Sequence, residues 1–152
     1  MTTERRKIKY LILAVFLLVL LPIPVRAEQS ISVNDINFGI AGEDDFFNGY
    51  ILVQSHPIFW SSDTGWRITV HSADPNLGVS DDGTYVKPLS DLLWKLSDEE
   101  AWIPMTQDPE EVDWSENGGE GVIYVDFAIQ LDWHRDFPGH YEAHLFFFIQ
   151  DL

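Results

Sequence analysis

The chain has 152 residues, no cysteine, and 25 acidic against nine basic side chains, for a formal net charge of −16. The lack of cysteine excludes disulfides and a lipid-modified cysteine, and the acidic balance excludes the basic face that nucleic-acid binding requires. The length is typical of a single domain that can bury a core of its own.

Residues 1–27 have the pattern of a secretory signal peptide. Four basic residues precede position 10, an apolar run follows at 11–21, and Val25 and Ala27 are small residues placed for a cut before Glu28. A membrane-spanning helix needs about 20 apolar residues, so the short run favours cleavage over the alternative of an uncleaved anchor. We expect residues 28–152 to be exported as one domain, secreted or associated with the cell surface, with no transmembrane segment after cleavage.

Removing the leader makes the domain more acidic. The leader contains five of the nine basic residues and one of the acidic ones, which leaves four basic against 24 acidic side chains, a net charge of −20. Such a surface is compatible with solubility, with calcium binding or with a cationic partner.

Strand periodicity predominates after Glu28. Three shorter strands are predicted, and they span Ile31 to Phe38, Tyr50 to Ser55 and Trp66 to His71. A brief strand is predicted at Tyr85 to Lys87. Ser90 to Leu96 fits either a helix or a strand, and we favour a strand.

The segment from Asp98 to Gly121 differs in composition from the rest of the domain. It has nine acidic residues and no basic one. Long segments without a clear period are often functional loops, so we predict a long acidic surface loop here.

The C-terminal part alternates most regularly. Apolar and polar residues alternate from Gly121 to Trp133, a turn is indicated at 136–139, and alternation resumes from Tyr141 to Ile149. This pattern predicts a long C-terminal hairpin. Together the segments predict an all-β fold, an antiparallel two-sheet sandwich with about seven or eight strands.

Three short motifs carry a family resemblance. They are Ile36-Asn37-Phe38-Gly39, Gly65-Trp66-Arg67-Ile68-Thr69-Val70 and Pro138-Gly139-His140-Tyr141, and Trp94-Lys95-Leu96 adds a literal W-x-L. Their order resembles that of bacterial surface β-sandwich domains of the WxL cell-wall-binding type and, less closely, fimbrial subunits of the spore-coat-U type. The resemblance implies an immunoglobulin-like sandwich that is exported, non-catalytic, and adhesive or structural.

The six tryptophans divide by strand phase. Trp66, Trp94 and Trp133 fall on the apolar side of their predicted strands and are expected in the core. Trp60, Trp102 and Trp114 lie outside regular alternation, where a ring can stack on a sugar or a partner. The alternative for these three is that they cap the ends of the sandwich.

Metal ligands are present without a specific motif. Acidic loop residues offer calcium ligands, but none follows the order of an EF-hand loop. The candidate calcium ligands are Glu43, Asp44, Asp45, Asp81 and Asp82. His140, Glu142 and His144 have the spacing to share one face of a strand, and we favour a solvated polar face over a zinc site there. No other cofactor is expected.

Phe146 and Phe148 interrupt the polar side of the last strand. Either the acidic loop covers both rings, or they form an exposed interface for a partner. No nucleophile, phosphate-binding or dinucleotide motif occurs, so we expect no enzymatic activity. We expect a surface, adhesion or structural protein that contacts a cell-surface protein or cell-wall polymer; the alternative is a carbohydrate-binding module that uses Trp60, Trp102 and Trp114.

Overall fold

A computed structural model describes residues 28–152. The predicted signal peptide, residues 1–27, lies outside the described residues. The elements in chain order are β1 (Gln29–Val33), α1 (Glu43–Asn48), β2 (Tyr50–Ser62), β3 (Trp66–Ser72), β4 (Asn76–Val79), β5 (Val86–Pro88), a 3-10 turn (Leu89–Asp91), β6 (Leu92–Leu96), β7 (Ile103–Pro104), β8 (Glu110–Ser115), β9 (Gly119–Gln130) and β10 (Leu145–Asp151).

The strands form an antiparallel all-β sandwich, as the sequence predicts. The large sheet has the order β1-β2-β9-β6-β7, the small sheet has the order β10-β3-β8, and β4 pairs with β5 in a separate hairpin. The strand order β1-β2-β9-β6 in one sheet corresponds to the A-B-E-D order of an immunoglobulin-like sandwich, and the pairing of β3 with β10 in the other sheet corresponds to its C-F pairing. Strand β8 occupies the other edge of the small sheet.

The core lies between the two sheets and follows from strand alternation. In β3 the side chains of Trp66, Ile68 and Val70 are buried, while the intervening residues face outward. Trp94 of β6 is buried as predicted. Trp60 of β2 packs against Trp66, with ring centroids 4.0 Å apart, and so joins the large sheet to the small one.

A bulge interrupts β2 opposite a buried carboxylate. The register between β2 and β9 shifts between Val53 and His56, and Ser55 in the bulge has a φ of 54°. The Ser55 N–H donates to Asp126 Oδ1 at 2.8 Å, and Lys95 Nζ lies 3.0 Å from Asp126 Oδ2. Burial raises the pKa of Asp126, but hydrogen bonds from Ser55, Ser97 and Lys95 outweigh it, so the pKa is lowered.

The predicted C-terminal hairpin is wrong. Strand β9 pairs with β2 and β6 in the large sheet, whereas β10 pairs with β3 in the small sheet. Residues 131–144 cross from one sheet to the other. Alternation shows which side chains face the core, but it does not show which strand lies alongside, so two consecutive alternating strands need not pair with each other.

The predicted acidic loop is also wrong. Residues 98–121 contain β7, β8 and the start of β9. Strand β8 is hard to detect because it is an edge strand of which Val112 alone is buried, with Glu110, Glu111 and Asp113 around it. Charged residues on an edge strand discourage pairing with other chains, and they also obscure the period of the strand.

Two further elements differ from expectation near α1. The helix itself was not predicted. Trp133, expected in the core, follows the end of β9, and its side chain is 54% exposed. Its ring instead packs against Phe46 and Phe47 of the helix, with centroids 4.5 and 6.0 Å away.

The segment from Ser90 to Leu96 is a strand from Leu92 onward, as favoured.

Candidate functional site

The outer side of the small sheet carries exposed aromatic side chains. Phe146 and Phe148 of β10 lie opposite His71 and Thr69 of β3, all on the side that faces away from the core. The two phenylalanine side chains are 45% and 49% exposed. The inward residues of β10, including Phe147, pack against the core.

The rings on this side are in mutual contact. Phe146 and Phe148 are stacked with centroids 6.0 Å apart, and the His71 ring is stacked on Phe148 at 5.4 Å with an interplanar angle of 5°. His71 also lies 5.7 Å from Phe146. The three rings therefore form one ordered surface, because each restricts the rotamers of the others.

Trp114 lies on the same outer side, at the opposite edge of the small sheet. It pairs with the outward-facing Arg67 of β3, and its side chain is 52% exposed. Strand spacing and the two-residue offset place it roughly 12 Å from Phe148. We call the surface formed by His71, Trp114, Phe146 and Phe148 the aromatic face. Arg67, on the same outer side of β3, is paired with Glu111 at 3.1 Å.

The acidic segment does not cover the aromatic face. Strand β8 forms the far edge of the small sheet instead of folding over it, and both phenylalanines remain half exposed. The explanation that a loop covers them is therefore wrong. Their assignment as a partner interface stays a prediction, and the structure adds Trp114 to it.

The three tryptophans proposed for sugar binding do not share a surface. Trp60 lies in β2 and packs inward on Trp66. Trp102 lies near the large sheet, where Lys95 Nζ is 5.4 Å from its ring centroid. Trp114 faces outward on the small sheet. The expectation that Trp60 and Trp114 lie outside regular alternation is wrong, because Trp60 lies in β2, which extends to Ser62, and Trp114 lies in β8.

The structure has a second apolar surface, which the sequence does not predict. On the outer side of the large sheet, Phe59 pairs with Val122, and Tyr124 lies one pleat away on β9. All three are exposed. The available signal was the apolar Val122 and the aromatic Tyr124 at polar positions of the β9 pattern. No contact between these rings makes an ordered stack comparable to that of the aromatic face.

The candidate calcium ligands are separated in the structure. Glu43, Asp44 and Asp45 form the first turn of α1, where Asp45 accepts a hydrogen bond from the Gly42 N–H. Asp82 instead accepts hydrogen bonds from Ser80 and Thr84, which lower its pKa. Within residues 28–152, no group of three or more histidine, aspartate or glutamate side chains is arranged to hold a metal ion.

The histidine pattern near the C terminus does not form a strand face. Residues 140–144 precede β10, and His144 pairs with Asp74 at 2.9 Å. The hydrogen bond to Asp74 raises the pKa of His144, while the backbone N–H of His144 lowers the pKa of Asp74. His140 lies 3.4 Å from Glu142. His140 and His144 therefore form exposed pairs with carboxylates on the protein surface.

The remaining basic residues, Lys87, Lys95 and Arg135, all form ion pairs with aspartates. Lys95 pairs with Asp126, Lys87 pairs with Asp91 and Asp136, and Arg135 pairs with Asp91. With Arg67 bound to Glu111, all four basic side chains of the described part have carboxylate partners. Of its 24 carboxylates, the other 20 have no lysine or arginine within 4.0 Å in residues 28–152. The surface is therefore electrostatically suited to a cationic partner.

In comparisons with known proteins, no family model, no curated protein and no solved structure matches the chain. Across residues 28–152, no helix is long and apolar enough to cross a membrane.

Proposed function

We propose that the domain is an exported, non-catalytic surface or adhesion component that binds a partner through the aromatic face. The observation that carries this proposal is the stacked, half-exposed pair Phe146 and Phe148 on the outer side of the small sheet. The partner we favour is a cell-surface protein, with a cell-wall polymer as the other form of the same role.

Physical chemistry supports a binding role for these rings. Exposed apolar surface remains in contact with water unless a partner covers it, so a contiguous aromatic patch on a soluble domain commonly marks an interface. Aromatic side chains dominate the binding energy of protein interfaces. His71 and Phe148 are already stacked, so binding loses less side-chain entropy than it would with mobile rings.

The second candidate function is carbohydrate binding by the same face. Trp114 is the observation that favours it, because the indole is 52% exposed on a flat sheet surface. An amphipathic ring in that setting can stack on the apolar face of a sugar. Trp60 is removed from this candidate, since it packs against Trp66.

Site-specific photo-crosslinking tests the proposal and separates the two ligand classes. A photoreactive phenylalanine analogue is placed at Phe148 in the exported protein on producing cells. The matched control carries the analogue at Phe59, which is 47% exposed on the outer side of the other sheet. We expect irradiation to give a discrete protein adduct at position 148 and none at 59.

Treatment of the adduct identifies its nature. An adduct that contains peptides of a second protein and keeps its added mass after glycosidase treatment supports a protein partner, whereas an added mass that glycosidases remove supports the carbohydrate candidate. Equal labelling at positions 148 and 59, or no adduct at either, contradicts a binding role for the aromatic face.

A further inference from the structure

A lysine and two aspartates are buried together at the junction of β5 with the connection between β9 and β10. Lys87 of β5 has a side chain that is 1% exposed, and those of Asp91 and Asp136 are 5% and 4% exposed. Lys87 Nζ lies 2.8 Å from Asp136 Oδ1 and 3.2 Å from Asp91 Oδ2. It also donates to the Gln130 carbonyl oxygen at 2.8 Å.

The side chains of Lys87 and Asp136 are both almost fully buried, so an amine and a carboxyl group lie together where water is scarce. An ion pair excluded from water loses the solvation of both charges. Burial raises the pKa of Asp136, but hydrogen bonds from Lys87 and from the Asp132 N–H outweigh burial and lower it, so the resting pair is ionic. Transfer of one proton within the pair gives the amine and carboxylic acid that are the reactants of amide formation. Held proximity supplies the orientation that free groups lack.

We propose that Lys87 and Asp136 form an intramolecular isopeptide bond. This inference is independent of the proposed function, because it concerns the buried ionic cluster of Lys87, Asp91 and Asp136 and not the aromatic face. The observations that carry it are the hydrogen bond from Lys87 Nζ to Asp136 Oδ1 and the Asp91 carboxylate beside the same nitrogen.

The proposed reaction is balanced without any external reagent. One proton passes from the Lys87 ammonium to the Asp136 carboxylate, and the resulting amine attacks Asp136 Cγ, so the Nζ–Cγ bond forms. A second proton passes from Nζ to the departing hydroxyl by way of the Asp91 carboxylate. The Cγ–O bond then breaks, one water leaves, and Asp91 ends as a carboxylate, as it began.

Neighbouring groups favour this path at each stage. The backbone N–H of Asp132 donates to Asp136 Oδ2 at 2.8 Å, where negative charge develops during attack. Arg135 holds Asp91 Oδ2 at 2.6 Å, which fixes the carboxylate beside Nζ. Lys87 Nζ already donates to the Gln130 carbonyl oxygen, so the single N–H of the amide product would have an acceptor beside it.

The bond would join distant parts of the chain. Lys87 and Asp136 are 49 residues apart, and the link would tie β5 to the segment that leads into β10. A cross-link of this kind also restricts the unfolded chain, and so raises resistance to unfolding.

Mass spectrometry of the exported protein tests the proposal directly. Once the N terminus is determined by sequencing, we expect the intact mass to be lower than the sequence mass by one water. Trypsin does not cut between Lys87 and Pro88, so it releases peptide 68–95 whether or not the bond exists. In the cross-linked protein this peptide should remain joined to peptide 136–152 after digestion. Chromatographic separation of the digest before mass measurement resolves the joined pair from the separate peptides.

Two variants serve as controls. Lys87→Arg keeps the positive charge but cannot form the amide, so it should have its full sequence mass and separate peptides. Asp136→Asn should react with loss of ammonia and give the same final mass as the cross-linked wild type. A wild-type protein with its full sequence mass and separate peptides 68–95 and 136–152 overturns the proposal, whether or not either variant folds.

Discussion

At the scale of single residues, Ser55 shows how the fold tolerates local strain. It is the one non-glycine residue with a positive φ in the described part of the chain. An L-residue in the left-handed region is disfavoured by roughly 1–2 kcal/mol. The hydrogen bond from its N–H to the buried Asp126 offsets this strain and fixes the bulge in β2.

Substitutions at Ser55 should separate backbone strain from side-chain effects. Ser55→Gly removes the left-handed penalty but gives the unfolded chain more freedom, so its stability should equal or exceed that of the wild type by up to about 1 kcal/mol. Ser55→Val should lose about 1–2 kcal/mol because a β-branched residue is a poor fit at positive φ. Urea unfolding measures both, and equal losses in the two variants would refute the strain.

Asp126 should give the stability of the domain a defined pH dependence. Its folded pKa lies below the ordinary 3.8, so its contribution is present above that pH and disappears as the pH falls through the lower folded value. Asp126→Asn should lose roughly 2–3 kcal/mol at neutral pH. The difference from wild type should shrink in acid below about pH 4.

Urea unfolding at a series of pH values measures this difference. The exposed Asp108→Asn variant is the matched control and should follow the wild type throughout. A stability difference for Asp126→Asn that does not change between neutral and acidic pH would show that the carboxylate charge is not responsible.

At the scale of elements, side-chain alternation in the sequence predicts which residues face the core, but it does not predict which strands pair. The pattern of β3 correctly placed Trp66, Ile68 and Val70 inside. In β9, however, Asp126 and Ala128 are buried although they lie on the outer side. The bulge at Ser55 and the Lys95 side chain cover Asp126. Both are distant from Asp126 in the sequence, so the alternation of residues within β9 does not reveal them.

The candidate site was predictable only in part for the same reason. Phe146 and Phe148 were identified because they interrupt a polar alternation, a property of neighbouring residues. The placement of Trp114 on the same side of the sheet depends on β8 pairing with β3, and the acidic composition of β8 conceals the strand. The contact of His71 with Phe148 likewise depends on which strand lies beside β10.

The turns at one end of the sandwich provide an element-scale prediction. A Cβ on Gly118, between β8 and β9, would lie 2.6 Å from the backbone of Asp63 in the β2–β3 turn. Since backbone atoms cannot move aside easily, Gly118→Ala should destabilise the domain by about 1–3 kcal/mol. Gly42→Ala is the control, because a Cβ there meets only Asp45 Oδ2 at 3.7 Å.

Thermal unfolding of the two glycine variants tests whether the turns pack as described. Gly118→Ala should melt well below the wild type, and Gly42→Ala should melt close to it. Equal melting temperatures for Gly118→Ala and the wild type would contradict the close approach of the two turns.

At the scale of the whole molecule, the charge distribution constrains the partner. All four basic side chains of the described part are already paired with carboxylates, so the net charge of −20 after residue 27 is not locally neutralised. Two copies of the domain repel each other, whereas a cationic partner is attracted. In the proposed binding, electrostatic attraction would therefore act together with apolar contact at the aromatic face.

This combination predicts that retention on producing cells depends on salt. Raising sodium chloride from about 0.05 to about 0.5 M shortens the Debye length several-fold, so the bound fraction should fall. Quantitative immunoblotting of cell-bound and released protein measures it. Retention that is unchanged across this range would exclude a cationic partner.

The most direct test of the central claim is the cell-bound fraction of two matched phenylalanine variants. Phe148→Ser removes a ring of the aromatic face, and Phe59→Ser removes a similarly exposed ring from the other sheet. Both should fold, as circular dichroism can verify. Loss of an interface aromatic weakens binding by about 1–3 kcal/mol, so we predict release of Phe148→Ser into the medium and retention of Phe59→Ser with the wild type. Equal retention of all three proteins, or complete release of the wild type, would contradict the account.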